Sequence, residues 1–150
     1  MSKPWETVVA ISDLENRRTL AKILGQLGLD AMCISTVSQC RELLDKGEVG
    51  LIFSGQFFTD GDYRAVVAAA NARSSPRASV ILAAPRMLAI ADEAVHSGAF
   101  DVIGIPYLPT DVEWTVIKAR RNRQALAVAQ ATALLVTPSS QPETLVRRAS

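Results

Sequence analysis

Short apolar runs, rich in β-branched residues, alternate along the chain with segments of helical periodicity. The runs are apolar almost throughout, which is typical of parallel strands covered on both faces by helices. The predicted strands are Thr7–Ser12, Ala31–Ser35, Val49–Ser54, Ser79–Ala84 and Asp101–Ile105. The predicted helices are residues 14–27, 37–46, 62–72, 87–97 and 110–136. This pattern predicts an α/β domain with five parallel strands and five helices.

Composition limits the classes of protein to consider. The chain has 150 residues, of which 49% are hydrophobic, enough for one domain with a substantial core. Residues 1–117 hold 10 basic and 14 acidic side chains (−4), whereas residues 118–150 hold 6 basic and 1 acidic (+5). The net charge of +1 does not indicate that the protein binds nucleic acid or an acidic membrane. No apolar run reaches the ~20 residues of a membrane helix, and the first residues lack a signal core, so we expect a cytoplasmic protein.

Several local motifs match one known family. The segment 98–107, Gly-Ala-Phe-Asp-Val-Ile-Gly-Ile-Pro-Tyr, is similar to the Gly-Ala-x-Asp, strand and Lys-Pro-Phe segment of the receiver domain of bacterial response regulators. Asp13 followed by Arg18, and Asp60-Gly61, also fit that family. The resemblance covers about residues 6–124. It implies a flavodoxin-like three-layer sandwich with strand order 2-1-3-4-5, and a cis peptide bond between Ile105 and Pro106.

The chain departs from the family at the positions that carry its chemistry. The resemblance places Ser12-Asp13 where members have two acidic Mg²⁺ ligands, and Ser54 where they have the aspartate that accepts a phosphoryl group. The other altered positions are Ala83 for a hydroxyl residue, Ile105 for the lysine, and Val102 for the aromatic switch residue. Because phosphoryl transfer needs charge neutralisation by the metal and the lysine, these changes together predict a pocket without the usual chemistry.

The sequence therefore predicts an atypical receiver domain, not an enzyme, that acts as a phosphorylation-independent protein-interaction module in bacterial two-component-type signalling. Its expected partner is a protein of the pathway, bound through a face that includes Ala89, Ala94, Val95, Ile103, Tyr107, Trp114 and Ile117. One alternative is a small ligand held by Ser12, Asp13, Ser54 and Ala83. A hydrolase using Ser54 with His96, the only histidine, is the least favoured alternative.

No cofactor or metal is predicted. No Gly-x-Gly-x-x-Gly follows the first strand, so a dinucleotide or flavin is not indicated. Asp13, with Glu15 and Asp60, is the one candidate for a weak cation site, but helix capping is the favoured interpretation of these acids.

The last predicted helix runs past the end of the receiver-like domain at residue 124. Residues 125–137 are apolar around almost the whole helix, so something should cover them. The candidate interface residues are Leu126, Val128, Leu134 and Leu135, and we expect a homodimer formed through this helix. A basic cluster of Lys118, Arg120, Arg121 and Arg123 precedes it, for which a solvated helix face is the favoured interpretation. Residues 138–150 are predicted to be a flexible tail or linker.

Overall fold

The computed structural model describes residues 6–47, 49–72 and 77–140, without the side chains of residues 130 and 133–140. The strands are β1 (Thr7–Ala10), β2 (Ala31–Ile34), β3 (Leu51–Ser54), β4 (Phe57–Phe58), β5 (Gly61–Asp62), β6 (Ser79–Pro85) and β7 (Asp101–Ile105). The helices are α1 (Leu14–Gln26), α2 (Val37–Asp45), α3 (Tyr63–Asn71), α4 (Ala91–His96) and α5 (Pro109–Ser140).

The central sheet is parallel and has the order β2-β1-β3-β6-β7. These five strands are the five predicted from sequence, so the order 2-1-3-4-5 and the flavodoxin-like fold are confirmed. The sheet separates two apolar layers. Side chains of α2, α3 and α4 pack on one face around Ile52 and Leu82, and those of α1 and α5 pack on the other around Phe53 and Ile81.

Three local features differ from the predicted elements. The loop after β3 contains a small antiparallel hairpin, β4–β5, which the apolar pattern missed. The predicted helix over 87–97 is divided into a 3-10 turn, Arg86–Leu88, and the shorter α4. The division occurs because the connecting residue, Ala89, takes a left-handed conformation with φ +53°. Helix α5 continues to Ser140, past the predicted end at residue 136.

Asp60 fastens the hairpin loop to the start of α2. Its two carboxylate oxygens accept hydrogen bonds from the backbone N–H groups of Val37 (2.9 Å) and Ser38 (3.0 Å). These backbone hydrogen bonds lower the pKa of Asp60 from its ordinary value of 3.8, with a smaller contribution from the charge of Arg41. The acid that sequence reasoning assigned to helix capping therefore caps a helix distant in the chain.

Asp60→Asn is expected to lower the unfolding temperature at neutral pH, because one amide oxygen replaces two carboxylate acceptors at this helix end. Since the pKa of Asp60 is lower in the folded than in the unfolded state, its stabilising contribution is complete above 3.8 and is lost as pH falls through the folded value. As the pH falls from neutral to about 3, the unfolding temperature of the wild type should approach that of the variant. Asp30→Asn, at an exposed aspartate, is the matched control; a constant gap between Asp60→Asn and wild type would contradict the prediction.

Candidate functional site

An open cavity of about 500 Å³ lies at the carboxyl edge of the central sheet, where parallel α/β folds bind ligands. The residues that line it come from the ends of β1, β3, β6 and β7 and the loops that follow: Ile11, Ser12, Asp13, Leu14, Asn16, Gly55, Gln56, Phe57, Ala83, Pro85, Ile105 and Tyr107. The structure thus brings together four of the five predicted pocket residues, namely Ser12, Asp13, Ala83 and Ile105.

Asp13 is the only ionisable carboxylate among these lining residues, and it caps α1. Its Oδ2 accepts a hydrogen bond of 2.8 Å from the backbone N–H of Asn16. The neighbouring Arg17 does not line the cavity; its guanidinium donates to the carbonyl oxygens of Ile11 (2.7 Å) and Ser12 (3.2 Å). The loop after β1 is therefore held by local hydrogen bonds, and one carboxylate faces the cavity without a cation among its lining residues.

The structure differs from the sequence-based expectation at Ser54. This residue is 0% exposed, does not line the cavity, and its hydroxyl donates a hydrogen bond of 2.8 Å to the carbonyl oxygen of Gly55. Ser54 pairs with Ala10 and Leu82 in the sheet. The next residue, Gly55, donates its N–H to the carbonyl of Ala10 (2.8 Å) and lines the cavity.

The one-residue difference follows from strand geometry. Successive side chains on a strand point to opposite faces of the sheet, so Ser54 faces the same apolar layer as Ile52, whereas Gly55 lies just past the end of β3 and lines the cavity. The sequence alone offers little to show which residues at the end of this strand face the core and which face the cavity.

The remaining predicted pocket positions are apolar. Ala83 is 2% exposed and Ile105 is half-buried, and both line the cavity. Val102 lies away from the cavity, partly buried against the apolar layer formed by α2, α3 and α4. Among the residues that the structure describes, no group of three or more His, Cys, Asp or Glu is arranged to hold a metal ion.

Tyr107 is a cavity residue that sequence reasoning placed only on a docking face. Its hydroxyl is buried and has no hydrogen-bond partner within the described part of the chain. Burial, with a further contribution from the negative charge of Asp13, raises the pKa of Tyr107 to about 12. The phenol is therefore neutral at physiological pH and carries an unused donor and acceptor next to the cavity.

The segment before Tyr107 contains the cis peptide bond between Ile105 and Pro106, the isomer that the resemblance predicts. Arg86, in the turn after β6, contacts this segment. Its Nη2 donates to the carbonyl oxygen of Pro106 (2.7 Å), and its Nη1 lies 3.5 Å from Oδ2 of Asp111 on α5. Gly104 permits this approach, because a Cβ there would lie 2.7 Å from the Arg86 guanidinium carbon.

Ser54 and His96 do not meet. His96 ends α4, which leads into the amino end of β7, whereas Ser54 ends β3 at the carboxyl edge. The Nδ1 atom of His96 is 3.0 Å from the carbonyl oxygen of Asp92, in its own helix. The geometry therefore gives no support to a serine–histidine hydrolase.

The predicted docking face is partly core. Ala94 and Ile103 are 0% and 3% exposed, whereas Val95 and Trp114 are 54% and 57% exposed. Sequence reasoning missed three further exposed apolar side chains near the carboxyl edge, namely Met87 and Leu88 in the turn after β6 and Leu108 before α5. Their local sequence resembles a helix, so their exposure could not be read from the apolar pattern.

The part of α5 that follows residue 124, called here the α5 extension, exposes apolar side chains, as expected for an unpaired helix. Leu126 is 43% and Val128 65% exposed. The side chains of Leu134 and Leu135 lie outside the described residues. No helix in the described chain is both long and apolar enough to span a membrane.

Most of the basic cluster at the start of this extension is engaged within the protein. Lys118 lies 2.9 Å from Asp101, Arg120 lies 4.0 Å from Glu6, and Arg123 donates to the carbonyl oxygen of Arg77 (3.1 Å). These contacts fit the interpretation as a surface helix face.

The sequence matches no protein-family model and no curated protein. The fold, however, is similar to solved receiver domains. The signal receiver domain of an HD domain-containing protein from Pseudomonas fluorescens Pf-5 superposes with a TM-score of 0.71 at 17% identity, covering 83% of this chain and 93% of that one. The receiver domain of NtrX from Brucella abortus gives 0.68 at 17% identity, covering 75% and 96%. The receiver domain of the TMAO respiratory system response regulator TorR gives 0.68 at 18%, covering 80% and 99%. At such identities the likeness shows the fold.

Proposed function

We propose that this protein is an atypical receiver domain that signals through protein contacts without being phosphorylated. Its fold is that of receiver domains. The cavity at the carboxyl edge lies where the resemblance places the phosphoryl acceptor and the metal ligands. One observation carries the proposal: the residue at the end of β3 that lines the cavity is Gly55, directly after the last strand residue, and it has no side chain to accept a phosphoryl group.

The surroundings of Gly55 add to this argument. Asp13 is the only carboxylate in the cavity, which is a poor cage for a hard cation that wants several oxygen ligands. Ile105 and Ala83 supply neither a cation nor a hydroxyl for the equatorial oxygens of a phosphoryl group. The nearest hydroxyl on β3, that of Ser54, is buried and already donates to a carbonyl oxygen.

The protein is therefore expected to form no phosphoryl adduct when incubated with Mg²⁺ and a small phosphodonor such as acetyl phosphate. Intact-mass spectrometry of the wild type would check this, with a receiver domain known to accept phosphate under the same conditions as the positive control. A stoichiometric adduct on any residue of the cavity would refute the proposal. An adduct on Ser54 would also show that Ser54, and not Gly55, occupies the acceptor position.

We further propose that the α5 extension joins two copies of the chain. Helix α5 has 32 residues and is about 48 Å long, of which about 24 Å follows Gln124. The sequence has no charged residue from Gln124 to Ser140. A charge-free helix of this length is marginal in water without a partner, and alternating alanines between residues 125 and 133 allow a second helix to approach closely.

The partner protein of the pathway would use the exposed apolar side chains at the carboxyl edge. Met87, which follows Arg86 in the chain, is 94% exposed, and Trp114, three residues after Asp111 on α5, is 57% exposed. Because Arg86 bonds the turn after β6 to the Pro106 carbonyl, this surface is held in one arrangement without a phosphoryl signal. Exposed aromatic and methionine side chains are typical of the centres of protein interfaces.

A further inference from the structure

We propose that the cavity at the carboxyl edge binds a flat, uncharged or cationic small molecule that carries an amine, amide or amidine group. This goes beyond the interaction role proposed above, since it assigns the cavity a ligand of its own and a class that differs from phosphate. Its volume of about 500 Å³ lies within the range of ordinary small-molecule sites, ~300–1,000 Å³.

Charge is the first argument. Among the twelve residues that line the cavity, Asp13 alone is charged, and no lysine, arginine or histidine is among them. The first turn of α1, which could otherwise attract an anion, already bonds the carboxylate of Asp13 through the Asn16 N–H. An anionic ligand would therefore meet a negative charge, whereas a cationic one would be attracted.

Unused hydrogen-bonding groups are the second argument. The Tyr107 hydroxyl is buried and has no partner among the residues that the structure describes. The partly exposed residues Asn16 and Gln56 add two carboxamides to the cavity lining. A buried unpaired hydroxyl costs folding free energy, and a ligand with N–H and lone-pair groups would recover it if the Tyr107 side chain turns its hydroxyl toward the cavity. Donor and acceptor together suit an amide, amidine or amine better than a hydrocarbon.

The apolar part of the lining favours a flat molecule. Ala83, Pro85 and Ile105 offer small or branched apolar surfaces, and the Phe57 ring is 68% exposed. An exposed aromatic ring can stack on a planar group and attracts a cation to its face. The cavity therefore combines one carboxylate, two carboxamides, the phenol of Tyr107 and the exposed ring of Phe57.

Three flat probes of nearly equal size test the proposal: benzamidine (cationic), benzamide (neutral) and benzoate (anionic). Titrations of ¹⁵N-labelled full-length protein should shift the amides of cavity residues such as Gly55 and Gln56. Benzamidine is expected to bind about tenfold more tightly than benzoate, with benzamide between them, as a charge-assisted contact to Asp13 implies. Asp13→Asn keeps a good helix cap and should abolish the preference, whereas Asp30→Asn, an equal change of charge at an exposed residue that does not line this cavity, should retain it.

Tyr107→Phe gives a second readout that a purely structural role would not produce. Removing an unpaired buried hydroxyl should leave the unfolding temperature of the free protein unchanged or higher, while the affinity for benzamidine and benzamide falls about threefold. The proposal is overturned if benzoate binds as tightly as benzamidine, if no probe shifts the cavity amides at millimolar concentration, or if Tyr107→Phe binds the probes like the wild type. The absence of a phosphoryl adduct is measured separately, so either proposal can fail alone.

Discussion

The full chain is expected to be a dimer in solution, and a chain that ends at Gln124 is expected to be a monomer. The truncation removes the part of α5 that carries Leu126 and Val128, which are 43% and 65% exposed in the single chain. A helix that is apolar on nearly all sides is normally covered by another surface. Size exclusion with light scattering would measure both masses.

A third chain that ends at Ser140 is the matched control for this experiment. It keeps all of α5 and should remain a dimer, which separates the helix from the residues after it. The shortened chain should also keep the unfolding cooperativity of the domain, since the buried α5 residues Val112, Val116 and Ala119 precede the cut. A full-length monomer would contradict the dimer and leave the α5 extension as a surface for a different protein.

The double substitution Ser12→Asp/Gly55→Asp is expected to create a divalent-cation site in the cavity. A Cβ at Gly55 would lie 3.6 Å from the Ile11 Cα and Cγ2 atoms, which is ordinary van der Waals contact, so the first side-chain atom needs no displacement of the backbone. Three carboxylates, including Asp13, would then meet at one edge of the sheet. Mg²⁺ prefers such oxygen ligands, whereas the carboxylates alone repel one another.

The expected result is a variant less stable than wild type without metal and stabilised by Mg²⁺. At a cation concentration about 100 times Kd, the gain in unfolding free energy would be about 2.7 kcal/mol. Thermal unfolding with and without Mg²⁺ measures it, and Ser12→Asn/Gly55→Asn, of nearly the same shape, should show no such gain. Equal behaviour of the Asp and Asn variants would contradict the placement of Gly55.

Ser54→Asp, the substitution that the sequence alone would suggest for this purpose, should behave differently. Its side chain would enter a position that is 0% exposed and faces the apolar layer of Ile52 and Leu82. An unpaired charge buried there is expected to cost several kcal/mol of stability. If Ser54→Asp instead were well folded and bound Mg²⁺, Ser54 and not Gly55 would occupy the acceptor position.

Much of the molecule follows from local sequence. The five parallel strands are continuous apolar runs because both faces of the sheet are covered, and this pattern needs no knowledge of the fold to be read. The hairpin Phe57–Phe58/Gly61–Asp62 was missed because its strands are only two residues long and are supported by Asp60, which reaches the backbone of Val37 and Ser38. The interruption at Ala89 was missed because its residues are ordinary helix formers.

The sequence by itself determined the fold class and the strand order, since these depend on residue types and their order, and it leaves Asp13 as the one acid among the predicted pocket positions. Only the tertiary structure decided that Gly55 lines the cavity while Ser54 is buried, and that Tyr107 places an unpaired hydroxyl beside it. The physical reason is that side chains alternate between faces along a strand, so a shift of one residue exchanges core for cavity. The orientation of the side chains at the end of β3 is set by pairing with β1 and β6, which are distant in the chain and brought together only by folding.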